Sequence, residues 1–96
     1  MQGTWFAMTE LYSFKLRIIL HIDSTQNGYL VRSDIPEWNE YGKTVKNFSF
    51  ESPDFRFVLY KRYTFEGRVN PGFSQIAGEF KYEDFIQKLT FTRDSI

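Results

Sequence analysis

Tyr12-Ser13-Phe14-Lys15-Leu16-Arg17-Ile18-Ile19-Leu20-His21-Ile22 is the stretch that decides the fold. Tyr12, Phe14, Leu16, Ile18, Leu20 and Ile22 occupy every second position, and Ser13, Lys15, Arg17 and His21 stand between them. Successive side chains of a strand point to opposite faces, so this alternation describes a strand with one buried face. A helix of the same sequence would scatter its apolar residues around the whole circumference. Ile19 is the apolar exception on the polar row.

Reading outward from this strand, turns and further alternations follow each other closely. Asn27-Gly28 adopts positive φ at little cost and predicts a hairpin to a strand over residues 29–32. Ser33-Asp34-Ile35-Pro36 is expected to break that strand, because Pro36 has no amide hydrogen to donate to a ladder. Residues 37–43 form the longest stretch without alternation, carry Trp38 and Tyr41, and leave room for a short helical turn. Strands are then expected over 45–50, 55–60, 63–69, 75–81 and 87–93, with turns at Glu51-Ser52-Pro53-Asp54, Lys61-Arg62, Asn70-Pro71-Gly72 and residues 82–85. With the apolar segment that opens at Gly3, this gives about eight short strands, the number that closes a small barrel. Short connections favour pairing between sequence neighbours. The expected fold is therefore all-β: one antiparallel up-and-down barrel over residues 1–96, with no repeat or linker. Its first and last strands should meet, with Trp5 and Arg93 stacked at the point of closure.

Composition agrees with this reading and narrows the chemistry. Aromatic residues make up 20% of the 96-residue chain, with 11 Phe, 6 Tyr and 2 Trp, and large rings favour strands. Twelve basic residues balance twelve acidic ones. A neutral chain exerts no general pull on nucleic-acid backbones or anionic membranes, so neither is an expected partner. Cysteine is absent, which excludes disulfides and thiolate chemistry. No apolar run approaches the roughly 20 residues of a membrane span, and residues 1–10 lack the pattern of a signal peptide. A cytoplasmic location is the expectation.

Several motifs, taken in order, resemble a lipocalin-like, calycin-type small barrel. They are Gly3-Thr4-Trp5, Asp34-Ile35-Pro36, Phe65-Glu66-Gly67, Ile76-Ala77-Gly78-Glu79-Phe80 and Leu89-Thr90-Phe91-Thr92-Arg93. The chain is most similar to short bacterial domains of this type, including ones found beside hydrolase domains. The resemblance implies a Gly-x-Trp at the first strand and a basic residue packed over that Trp at the last, here Trp5 and Arg93. Two departures stand out: the chain is shorter than typical lipocalins, and no second motif of the family is apparent. Gly67 and Gly78 also have a local meaning, since a strand glycine permits a kink or lets a ring lie over the backbone.

A catalytic apparatus is hard to assemble from these residues. His21 is the only histidine, and a dyad with Asp23 brings no nucleophile with it. Asp34, Glu37 and Glu40 cluster near Trp38 and Tyr41, and paired acids beside an aromatic ring can bind or cleave a sugar. A solvated loop has the same composition. One histidine and no cysteine leave no metal set, and no loop has calcium-site spacing. Lys61, Arg62, Tyr63 and Phe65 interleave charge and rings as single-strand binders do, but over a short span. No catalytic residue, metal or cofactor is assigned.

The apolar stripe carries the leading expectation. Tyr12, Phe14, Leu16, Ile18, Phe57, Leu59, Phe65, Ile76, Phe80, Leu89 and Phe91 should point inward, either as a filled core or as the lining of a cavity. Tyr12, Phe14, Tyr29, Trp38, Phe57, Tyr63 and Phe65 are the candidate ligand contacts, with Tyr12, Tyr29, Tyr63 and Trp38 at the mouth. The expected function is non-catalytic binding of a small apolar or aromatic ligand. The alternative is a packed barrel that homodimerises or docks on a protein through outward Ile19, Val58 and Tyr60.

Overall fold

The structure, a computed structural model, describes residues 2–11, 14–59 and 62–93. Its strands are β1 (Gly3–Leu11), β2 (Phe14–Thr25), β3 (Gly28–Ile35), β4 (Glu40–Thr44), β5 (Lys46–Glu51), β6 (Asp54–Leu59), β7 (Tyr63–Val69), β8 (Gln75–Tyr82) and β9 (Phe85–Arg93). A 3-10 turn, Pro36–Trp38, connects β3 to β4. The strands form one antiparallel 9-stranded sheet in the order β4-β3-β2-β1-β9-β8-β7-β6-β5. Consecutive strands pair except β4 and β5, and β1 joins β9 through Trp5↔Arg93 and Phe6↔Thr92. This is the expected up-and-down barrel, nearly closed.

The two outermost strands of that order, β4 and β5, are consecutive in the chain and joined by Val45. The Val45 N–H donates to the Val31 carbonyl at 3.0 Å, so the chain leaves β3 there and takes up β6 as its next partner. Along this seam, rings do what a ladder does elsewhere. Tyr29 meets Phe48 and Phe50 edge-on, each at 6.1 Å between centroids. Trp38 meets Tyr63 at 5.9 Å.

Nine strands replace the expected eight because residues 40–44 form β4. None of the five is buried, so they carry no apolar alternation for sequence reading to find. Backbone pairing to β3 holds β4, together with the Gly42 N–H, which donates to Asp34 Oδ1 at 2.7 Å. The expected break at Ser33 is also absent: β3 runs on to Ile35, and Pro36 starts the 3-10 turn instead. Ser33 is fully buried, a polar residue on the inward row, and its hydroxyl donates to the Lys43 carbonyl at 3.4 Å.

The interior is made of the inward rows. Leu16, Ile18, Leu20 and Ile22 of β2, Phe57 and Leu59 of β6, Phe65 of β7, Ile76 and Phe80 of β8, and Leu89 and Phe91 of β9 are all buried. Phe55, Phe57, Phe65 and Phe91 occupy the middle, with centroids 5.1–6.2 Å apart in edge-on or tilted contacts. Such ring pairs add about 0.5–1.5 kcal/mol each beyond the area they bury. Buried Thr9 donates to Gln87 Oε1 at 2.6 Å, and no buried side-chain polar atom among the described residues lacks a partner.

Gly67 and Gly78 face each other across β7 and β8. A Cβ on Gly67 would sit 2.9 Å from the Phe65 ring and 2.8 Å from the Ala77 carbonyl oxygen. One on Gly78 would strike the Glu66 carbonyl and the Gly67 Cα. The missing side chains let these two strands approach and let the Phe65 ring cover the backbone, as expected of strand glycines.

Candidate functional site: the barrel end around Trp38

The barrel has two unlike ends. At one end lie the start of β1, the β2–β3 and β7–β8 turns, and Arg93. There Trp5 is fully buried, and the Arg93 guanidinium lies over its ring at 5.4 Å. The same guanidinium donates to the Phe73 carbonyl at 3.3 Å and to the Gln2 carbonyl. This end is plugged.

The opposite end carries the β8–β9 turn, Arg62 before β7, and the 3-10 turn. Pro36 opens that turn with a fixed φ, and Asn39 ends it in the left-handed region at φ 54° while its N–H bonds the Pro36 carbonyl at 3.0 Å. Pairing of β2 with β3 ends at Ile19↔Asp34, so the first residues of β2 run past β3. Glu37 takes over there. Its Oε1 accepts the Arg17 backbone N–H at 2.9 Å, and its Oε2 accepts Arg17 Nε at 2.8 Å. The two Arg17 donors hold the Glu37 carboxyl below the usual range, the backbone N–H having the larger effect.

Anchored this way, Trp38 stands 38% exposed between two grooves. On one side a groove of about 310 Å³ is lined by Phe14, Lys15, Leu16, Glu37 and Trp38. On the other, one of about 230 Å³ is lined by Trp38, Glu40, Arg62 and Tyr63. A third, of about 300 Å³, opens at the β8–β9 turn along Tyr82 and Phe85. Tyr63 stacks on Tyr82 at 4.7 Å and on Phe80 at 5.5 Å, and the Arg62 guanidinium lies over Tyr82 at 5.1 Å. Burial, and then the neighbouring Tyr82, push the Tyr63 hydroxyl above its ordinary pKa.

The structure sorts the expected contacts into groups. Phe14, Trp38 and Tyr63 come together at this end. Phe14 does not point into the core as expected; it is 71% exposed. It stands on the inward row of β2 but lies where β2 has outrun β3, and among the described residues nothing closes over it. Tyr29 lies at the opposite end of β3, on the seam with Phe48 and Phe50. Phe57 and Phe65 are in the packed centre. Tyr12 and Tyr60 lie outside the described residues. Ile19 and Val58 both face outward, but β1, β9, β8 and β7 separate their strands in the sheet order. Ile19's apolar neighbour is Phe6, directly across on β1.

The polar candidates also separate. His21 pairs with Asp34 rather than Asp23, Nε2 to Oδ2 at 2.7 Å, and Asp23 takes Arg32 at 3.1 Å. Desolvation raises the Asp34 pKa, but the Gly42 N–H, the His21 ring and the Arg32 charge outweigh it and leave the carboxyl below its ordinary value. Glu40 lies 3.5 Å from Lys43. Asp34, Glu37 and Glu40 therefore each brace a different part of the turn. Of the expected basic and aromatic run, Tyr63 and Phe65 are buried, and Lys61 lies outside the described residues. Tyr82 is the residue that sequence reading missed, although it continues the inward row of Ile76 and Phe80.

Among the described residues, no group of three or more His, Asp or Glu side chains is placed to hold a metal ion. Among the same residues, no helix is long and apolar enough to cross a membrane. Comparisons of the chain with protein-family models, with curated proteins and with solved structures find no match.

Proposed function

We propose that this protein is a lipocalin-like barrel that binds a small apolar or aromatic ligand without chemistry, at the mouth around Trp38 rather than in the centre. One observation carries the reading: three grooves and the exposed rings of Phe14, Trp38 and Phe85 lie at the end opposite the Trp5–Arg93 plug, while phenyl rings fill the middle. The plug itself is the contact that the lipocalin resemblance implies. A ring laid against Trp38, with Phe14 or Tyr63 as a second wall, would cover apolar surface at about 25 cal/mol per Å². Shallow grooves cover only part of a ligand, and association has its own entropic cost, so affinity should be about millimolar.

Calorimetric or NMR titration with indole, p-cresol and naphthol tests this reading. Binding should be seen for the wild type and lost in Trp38→Ala. Equal binding by Trp38→Ala would place the ligand elsewhere and overturn the assignment.

A second reading rests on the outer face of β1 and β2. Phe6, 42% exposed, lies across from Ile19, and Met8, 63% exposed, is two residues along. This patch would seat a second copy of the chain or a protein partner. Val58 is too far round the barrel to join it. Sedimentation velocity over a hundredfold concentration range decides the dimer form: a concentration-independent monomer rejects it.

A further inference from the structure

The groove between Trp38 and Tyr63 has an unusual charge arrangement. Its walls hold one carboxylate, Glu40, one guanidinium, Arg62, and two aromatic rings. Glu40 stands at the start of β4 and Arg62 just before β7, on the two sides of the seam. Among the described residues no ion pair joins them. Glu40 forms a surface ion pair with Lys43 at 3.5 Å, and Arg62 rests on Tyr82 at 5.1 Å. Opposite charges that share a groove of about 230 Å³ without pairing to each other leave space for a ligand that carries both signs.

From this we infer that the groove recognises an aromatic α-amino acid as its zwitterion. The ammonium would donate to the Glu40 carboxylate. The carboxylate would accept from Arg62, whose planar fork suits it. The ring would lie against Trp38, with Tyr63 behind it. An anion alone would be repelled by Glu40, and a cation alone by Arg62. A neutral ring would gain from neither charge. This inference rests on the mouth-binding reading and names its ligand class.

The test is an NMR titration of the full chain with L-tryptophan, tryptamine, indole-3-propionate and indole. Tryptamine lacks the carboxylate, indole-3-propionate lacks the ammonium, and indole lacks both. L-tryptophan should bind tightest, with each one-charge analogue about fivefold weaker, the scale of a solvent-exposed ion pair. Glu40→Gln should bring L-tryptophan down to the level of indole-3-propionate. Arg62→Gln should bring it down to that of tryptamine. If indole or a one-charge analogue binds as well as L-tryptophan, the zwitterion assignment is overturned while mouth binding stands. If none of the four perturbs Trp38, both are overturned. The ligand series on the wild type gives this answer without relying on how either variant folds.

Discussion

The two tryptophans mark the two ends of the barrel, and the ends are built by different means. Around Trp5, β1 and β9 share a backbone ladder, and Arg93 covers the indole while bonding two carbonyls. Around Trp38, β2 has outrun β3, and a carboxylate from the 3-10 turn satisfies the N–H that a ladder would have taken. A ring contact, Trp38 on Tyr63, bridges to β7. A ladder leaves no room for anything else, whereas side-chain closure leaves grooves. Stability should therefore reside at the Trp5 end and binding at the Trp38 end.

The largest test of that division is Trp5→Ala. Removing a fully buried indole should cost about 3–5 kcal/mol, a large part of a small domain's stability, measured by urea unfolding. A loss under about 1 kcal/mol would mean that the plugged end is not the structural one. Gly78→Ala probes the wall between the ends. Its methyl would strike the Gly67 backbone, and parting β7 from β8 should cost about 1–3 kcal/mol. Arg93→Gln should cost about 1 kcal/mol, since it removes the cation over Trp5. Trp38→Ala, in contrast, should cost clearly less than Trp5→Ala, about 1–2 kcal/mol, because more than a third of the residue is already in water, while ligand binding is lost.

The smallest effect is acid dependence at the pair that ties β2, β3 and β4 together. The folded-state pKa of Asp34 is lowered. Its contribution is therefore present above the pKa of the unfolded chain and disappears as pH falls through the folded value. Wild type should exceed Asp34→Asn in stability at neutral pH, and the difference should vanish in acid. A difference that persists below pH ~2 would assign the effect to something other than this carboxylate.

Much of the fold is legible in the sequence because alternation reports directly on burial. The row of Leu16, Ile18, Leu20 and Ile22 is inward, the first and last strands meet, and Arg93 finds Trp5. Alternation says which face a residue takes, not how far the wall beside it extends, and that is why Phe14 reads as core and stands exposed. It also says nothing of a strand with two wet faces, so β4 is invisible. The site was legible one residue at a time. Trp38, Tyr63, Glu40 and Arg62 each attract attention, but under separate readings: a loop aromatic, a mouth tyrosine, a loop acid and a nucleic-acid patch. Only the path of the chain across the seam at Val45 places them in one groove. His21 shows the same limit. Its sequence neighbour Asp23 is on its face, yet the partner comes from β3, through a register that the sequence does not specify.

The unequal ends can be tested in a single spectrum. The chain has 2 tryptophans, so a proton–nitrogen correlation spectrum holds two indole N–H resonances, one for each end. On addition of L-tryptophan, labelled protein should show a saturable shift of the Trp38 indole with the Trp5 indole unmoved. A shift confined to Trp5, or equal shifts of both, would contradict the assignment of structure to one end and binding to the other.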